Sequence, residues 1–101
     1  MALERCGNIA SVRAFSIDDS ATTEIDDAIS VQGLGSGEVV VGIHIAAPGL
    51  AITPDSVPDN IGRQRLSTVY MPGHKITMLP DGLVQTYTLQ EGRECPAVSL
   101  Y

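Results

Sequence analysis

"AISVQGLGSGEVVVGIHIAA", residues 28–47, decides the architecture. Its first seven residues alternate apolar with small or polar side chains, the period-two pattern of a strand with one buried face. Gly35–Ser36–Gly37 interrupts the pattern, and residues 38–47 resume as a β-branched, nearly continuous run. The stretch predicts two antiparallel strands joined by a short glycine-bearing hairpin, the second strand buried on both faces. His44, inside that second strand, is expected to be a structural histidine with satisfied ring nitrogens.

Outward from this hairpin, Ser11–Ile17 has strand composition and runs straight into an acidic segment. On the other side, residues 48–60 hold three prolines and predict an ordered loop that ends the sheet. A short helix is expected to open after Pro58 with Asp59 as its cap, weakened by Gly62. Residues 67–82 predict extended pieces punctuated by Pro72–Gly73 and Pro80–Asp81–Gly82, and Leu83–Leu89 and Cys95–Tyr101 predict two further strands. The fold class is therefore α+β, mostly antiparallel or mixed β-sheet with one short helix. Because the last predicted strand reaches Tyr101, the 101 residues are expected to be a single partial domain cut from a longer protein.

Hydrophobic residues make up 44% of the chain, enough for a packed core and against disorder. One Phe, three Tyr and no Trp leave that core to Val, Ile, Leu and Ala. The longest apolar run, Val39–Pro48, is broken by Gly42 and His44 and is too short to cross a bilayer. Glu4 and Arg5 stand where a signal peptide needs its apolar stretch, so a cytoplasmic protein without a membrane partner is expected. Cys6 and Cys95 lack metal-ligand spacing and read as two buried or free thiols. The net charge of −6 argues against non-specific binding of nucleic acid by this piece alone, because such binding rests on basic surface.

Against that background the stretch "SIDDSATTEIDDAIS", residues 16–30, concentrates five of the twelve acids into ten positions. Clustered carboxylates repel and are expensive to desolvate; protons or a divalent cation relieve them. Hard cations such as Mg²⁺ take oxygen ligands, commonly carboxylates with substrate phosphates. Asp18 lies at the exit of one predicted strand, "SATT" makes a turn, and Glu24, Asp26 and Asp27 lead into the next. Asp27 shares parity with Ile25, Ile29 and Val31, the apolar side, whereas Glu24 and Asp26 share the other. Strand, turn and strand together can bring the four around one point. The plainer alternative is a solvated acidic turn whose aspartates bond the local backbone. A helix–loop–helix calcium loop does not fit: counted from Asp18, its sixth position lacks glycine and its twelfth is Ile29.

The blocks "AFSIDDSATTEIDDAIS", "VGIHIAAP", "DNIGRQRLSTVYMPG" and "MLPDGL" resemble, in order, the catalytic RNB domain of the ribonuclease II/ribonuclease R family. The resemblance covers nearly the whole chain but only the first third or so of such a domain. It implies a metal-dependent exoribonuclease that hydrolyses single-stranded RNA processively from the 3′ end to nucleoside 5′-monophosphates. Under it, Asp18, Glu24, Asp26 and Asp27 are the catalytic acids and the ligands of Mg²⁺, or of Mn²⁺ in its place. Asp19 falls outside the set and is expected to be a turn residue. Tyr70 matches a tyrosine that stacks on or guides the terminal nucleotides, its plainer role being a core tyrosine. Arg65 matches a recurrent RNA-binding arginine, its plainer role being a surface or ion-pairing residue. His74 and Lys75 are candidates for phosphate contact on charge alone.

Two positions depart from the family pattern. Glu24 stands where an Asp is usual, moving the carboxylate outward by about one methylene, and Ala47 stands where "HIAD" carries Asp. A later phosphate-clamping arginine, further stacking aromatics and the OB-fold RNA-binding domains are expected in the remaining RNB segment and elsewhere in the parent chain. The isolated piece is accordingly expected to be inactive. A different class of protein, a non-catalytic RNA-binding or interaction module that keeps the fold, is the alternative.

Overall fold

The computed structural model describes residues 12–19 and 21–101. Cys6 and the start of the expected Ser11–Ile17 strand lie outside the described residues. The chain divides into two compact units: the described residues up to Ala47 with Thr88–Tyr101, and Pro48–Tyr87.

The first unit is a four-stranded antiparallel sheet. β1 (Ala14–Phe15), β2 (Asp27–Gln32), β3 (Val40–Ala46) and β6 (Ala97–Leu100) lie in the order β1–β2–β3–β6. The expected hairpin joins β2 and β3 in a register running from Asp27↔Ile45 to Gln32↔Val40. Its turn begins at Gly33, where φ is 79° and a Cβ would collide with the carbonyl oxygen of Glu38, so glycine is required there. β6 pairs with the free edge of β3, from Ile43↔Leu100 to Ala46↔Ala97. β1 is shorter than expected and adds Ala14↔Ser30 and Phe15↔Ile29 to the opposite edge.

These registers sort the side chains into two unlike faces. One carries the row Phe15, Ile29, Ile43, Leu100, flanked by Val31 with Val41 and by Asp27, Ile45 and Val98. The other carries Ala28, Ser30, Gly42, His44 and Ser99 and is buried. β3 is therefore buried on one face only. Val41, Ile43 and Ile45 are all exposed, contrary to the expectation from their continuous apolar run. The buried face is built from small and polar residues: Ser30 is 1% exposed and His44 6%. Ser30 Oγ lies 2.8 Å from His44 Nε2, and Ser99 Oγ lies 2.7 Å from His44 Nδ1. Both ring nitrogens are thus partnered, as the buried position demands. Gly42 makes the arrangement possible, because a Cβ there would lie 2.8 Å from His44 Nε2 and closer still to Ser30 Oγ. The Tyr101 ring meets the His44 imidazole edge-on, centroids 5.8 Å apart.

The second unit begins with a 3₁₀ turn, Pro48–Ala51, followed by α1 (Val57–Arg65). Ser56, not Asp59, is the N-cap residue, and its side chain makes no capping bond. Asp59 sits in the first turn and reaches back instead, its Oδ2 accepting the Asp55 N–H at 2.7 Å. The helix ends in a left-handed Leu66 at φ 65°, whose N–H returns to the Gly62 carbonyl. β4 (Val69–Met71) and β5 (His74–Ile76) are the extended pieces expected on either side of Pro72–Gly73, and they pair with each other as a hairpin, with Gly73 at φ 70°.

The expected strand Leu83–Leu89 is instead a second helix, α2 (Asp81–Tyr87). Pro80 and Asp81 favour a helix start, and Leu83, Val84 and Tyr87 are half-buried at helical spacing. Thr86, a β-former by composition, is accommodated by donating its hydroxyl to the Gly82 carbonyl one turn back, at 2.7 Å. The class is α+β as expected, with two α-helices among the described residues rather than one. Among the described residues no helix is long and apolar enough to cross a membrane.

Candidate active site

Three of the four candidate acids sit on backbone that is pinned from two sides. Ile25 donates its N–H to Thr88 Oγ1 at 2.7 Å, and its carbonyl accepts the Leu89 N–H at 2.9 Å. One residue on, the Asp26 carbonyl accepts the Ala46 N–H at 2.8 Å. Glu24, Asp26 and Asp27 therefore leave a main chain fixed by β3 on one side and residues 88–89 on the other. Thr88, itself buried, is the positioning residue that sequence reasoning missed. Its partner lies 63 residues away, and no local pattern marks it.

Asp18 lies on the irregular stretch after β1, and Asp26 and Asp27 stand at the start of β2; all three are exposed, while Glu24 is half-buried. Asp27 opens β2 opposite Ile45, on the apolar face that its parity indicated. Asp19 behaves as a turn residue: its Oδ1 accepts the Ala21 N–H at 3.3 Å and its carbonyl the Thr22 N–H at 2.9 Å. The donor set is entirely carboxylate oxygen, which suits a hard divalent cation. Among the described residues no three Asp, Glu, His or Cys side chains are grouped to hold a metal ion. Mg²⁺ commonly uses only one or two carboxylates and completes its shell with waters and substrate phosphates, so it does not require a preassembled cage.

Ala47 is buried, its N–H donating to the Pro96 carbonyl at 3.3 Å, and it offers no polar side chain beside the acids. His44 has the structural role expected of it. Cys95 is a free thiol surrounded by the carbonyls of Thr88, Arg93 and Gln90 at 3.5–3.8 Å.

The other candidates belong to the second unit. Tyr70, on β4, is 73% exposed and so is not a core tyrosine within this chain. Arg65, at the end of α1, donates from Nη1 to the Thr77 carbonyl at 2.8 Å, tying the helix to the base of the β4–β5 hairpin. Arg63 is taken up by Asp59 and Asp55, at 3.2 and 3.8 Å. The Asp59 carboxyl is held below its ordinary value, chiefly by the Asp55 N–H bond, with Arg63 adding to it against partial burial.

The RNB domain profile matches residues 7–101. An uncharacterized ribonuclease of Synechocystis is 33% identical over 93 residues, covering 91% of this chain and 14% of its own length. The chloroplastic/mitochondrial ribonuclease II of Arabidopsis thaliana is 32% identical over 94 residues, covering 92% of this chain and 12% of its own. Exoribonuclease 2 of Vibrio cholerae is 38% identical over 92 residues, 90% of this chain and 14% of its own. The chain thus spans 12–14% of the length of these relatives.

Proposed function

Because this chain belongs to the RNB domain family, we propose that it is the N-terminal part of the catalytic domain of a Mg²⁺-dependent, processive 3′→5′ exoribonuclease. The parent protein acts on single-stranded RNA in the cytoplasm and releases nucleoside 5′-monophosphates. The observation that carries the proposal is the acidic strand–turn–strand in a chain of this family, with its backbone pinned at Ile25 and Asp26.

Asp18, Glu24, Asp26 and Asp27 supply the oxygens that hold Mg²⁺ or Mn²⁺. The bound ion supplies Lewis-acid stabilisation of phosphoryl charge and activation of water. Tyr70 offers an aromatic face to a base, a contact tolerant of base identity. The Arg65 guanidinium, which carries five N–H donors, steadies the Tyr70 hairpin through Thr77 and keeps donors for phosphate. The net charge of −6 requires the cationic RNA channel to come from the rest of the parent, so the 101 residues alone do not degrade RNA.

Full-length protein and its Asp27→Asn variant, assayed on single-stranded RNA with Mg²⁺, test this reading. Loss of monophosphate release in the variant is expected; equal release by both refutes it. Buried Ala47 in place of an acid favours a second reading, a module that binds RNA without turnover. RNA binding by the full-length protein with no product under any divalent ion would establish that alternative.

A further inference from the structure

The β4–β5 hairpin places the chain's only lysine directly opposite Tyr70. The register runs Val69↔Ile76, Tyr70↔Lys75, Met71↔His74. Residues directly opposed across an antiparallel pair point to the same face, with Cβ atoms about 4.5–5.5 Å apart. Tyr70 and Lys75 therefore share one face, while Val69, Met71, His74 and Ile76 share the other.

We propose that Lys75 binds the phosphate of the RNA nucleotide whose base stacks on Tyr70. The proposal rests on the reading of the parent as an RNA-degrading enzyme and adds a residue to it. An aromatic face alone recognises a base and leaves its phosphate in solvent. An ammonium group beside that face supplies three donors and a positive charge where the phosphate emerges. The chain has six Lys and Arg against twelve Asp and Glu, so cationic positions are few. The Pro72–Gly73 turn fixes the register, so stacking and charge arrive as one preformed unit.

The test is equilibrium binding of a fluorescein-labelled oligoadenylate to the full-length protein, with a chelator present to prevent cleavage, across a series of KCl concentrations. Replacing one phosphate-binding cation lowers the steepness of log K against log[salt] by about 0.7 for a single strand. Lys75→Ala is expected to show that reduction together with several-fold weaker binding at low salt, and Lys75→Arg to restore both. Tyr70→Ala is expected to weaken binding while leaving the salt slope unchanged, because stacking releases no counterions. Unaltered melting curves exclude a folding defect in each variant. If wild type binds and Lys75→Ala binds with the same affinity and slope, the phosphate role is overturned while the RNA reading stands. If wild type does not bind the oligonucleotide, the RNA reading itself falls, and this inference with it.

Discussion

Replacing Gly42 with alanine asks whether the buried Ser30–His44–Ser99 chain governs the central strand. Gly42 does not adopt a positive φ, so its backbone suits any L-residue. Taken alone, the added methyl would then stabilise the fold by about 0.4–1 kcal/mol by narrowing the unfolded ensemble. The side chains over Gly42 reverse that sign. The new Cβ would stand 2.8 Å from His44 Nε2 and nearer still to Ser30 Oγ, and both groups are buried. Overfilling a packed site costs about 1–3 kcal/mol. Displacing His44 from Ser30 strands a buried polar atom at about 1–3 kcal/mol more. The net expectation is a loss of about 2–5 kcal/mol, read from urea denaturation followed by circular dichroism at constant m. Ser30→Ala alone should lose about 1–3 kcal/mol by orphaning a His44 nitrogen. The double variant removes the nearest obstruction, so its loss should fall short of the sum by about 0.5–3 kcal/mol. A Gly42→Ala protein as stable as wild type, or a strictly additive pair, refutes the reasoning.

Acid should loosen the start of α1 through Asp59. Its folded-state carboxyl lies below 3.8, so its contribution is complete above that value and is lost as pH falls through the lowered one. Asp59→Asn should flatten that part of the stability–pH curve, and an unchanged curve counts against the Asp55 bond. At the other end of α1, Leu66→Gly should raise stability by about 1 kcal/mol, because Leu66 adopts φ 65° while 77% exposed; a lower melting temperature contradicts this. Mg²⁺ at about a hundred times its dissociation constant should stabilise the full-length protein by about 2.7 kcal/mol. Calorimetry with Asp26→Asn and Asp27→Asn checks that the gain depends on the acids, and a gain undiminished in both variants sinks their role as ligands.

The β2–β3 hairpin was legible because alternation, β-branching and a glycine turn agree locally. The turn between β4 and β5 was legible because Pro72 presets its own φ and Gly73 tolerates the positive φ the turn needs. His44 was legible because a polar residue in an apolar strand must find partners. The burial of β3 is not legible from its sequence, because a continuous apolar run does not by itself distinguish one buried face from two. The buried side is in fact lined by Gly42 and His44, and the apolar side is exposed. α2 was misread because Val84, Thr86 and Tyr87 carry strand propensity, while Pro80–Asp81 and the spacing of Leu83, Val84 and Tyr87 outweigh it. At the candidate site the acids announce themselves by density. The Thr88 hydroxyl that holds their backbone does not, since only tertiary structure brings residues 25 and 88 together.

The row Phe15–Ile29–Ile43–Leu100 has a colloidal consequence. Copies of the isolated chain carry like charge and repel at long range, but each also presents a sticky patch that acts only on contact. Salt shrinks the range of the repulsion to about 10 Å at 0.1 M without weakening the adhesion. Clumping of the bare polypeptide is therefore governed by ionic strength. Kosmotropic anions, which screen the charge and strengthen apolar association together, are its most effective precipitants.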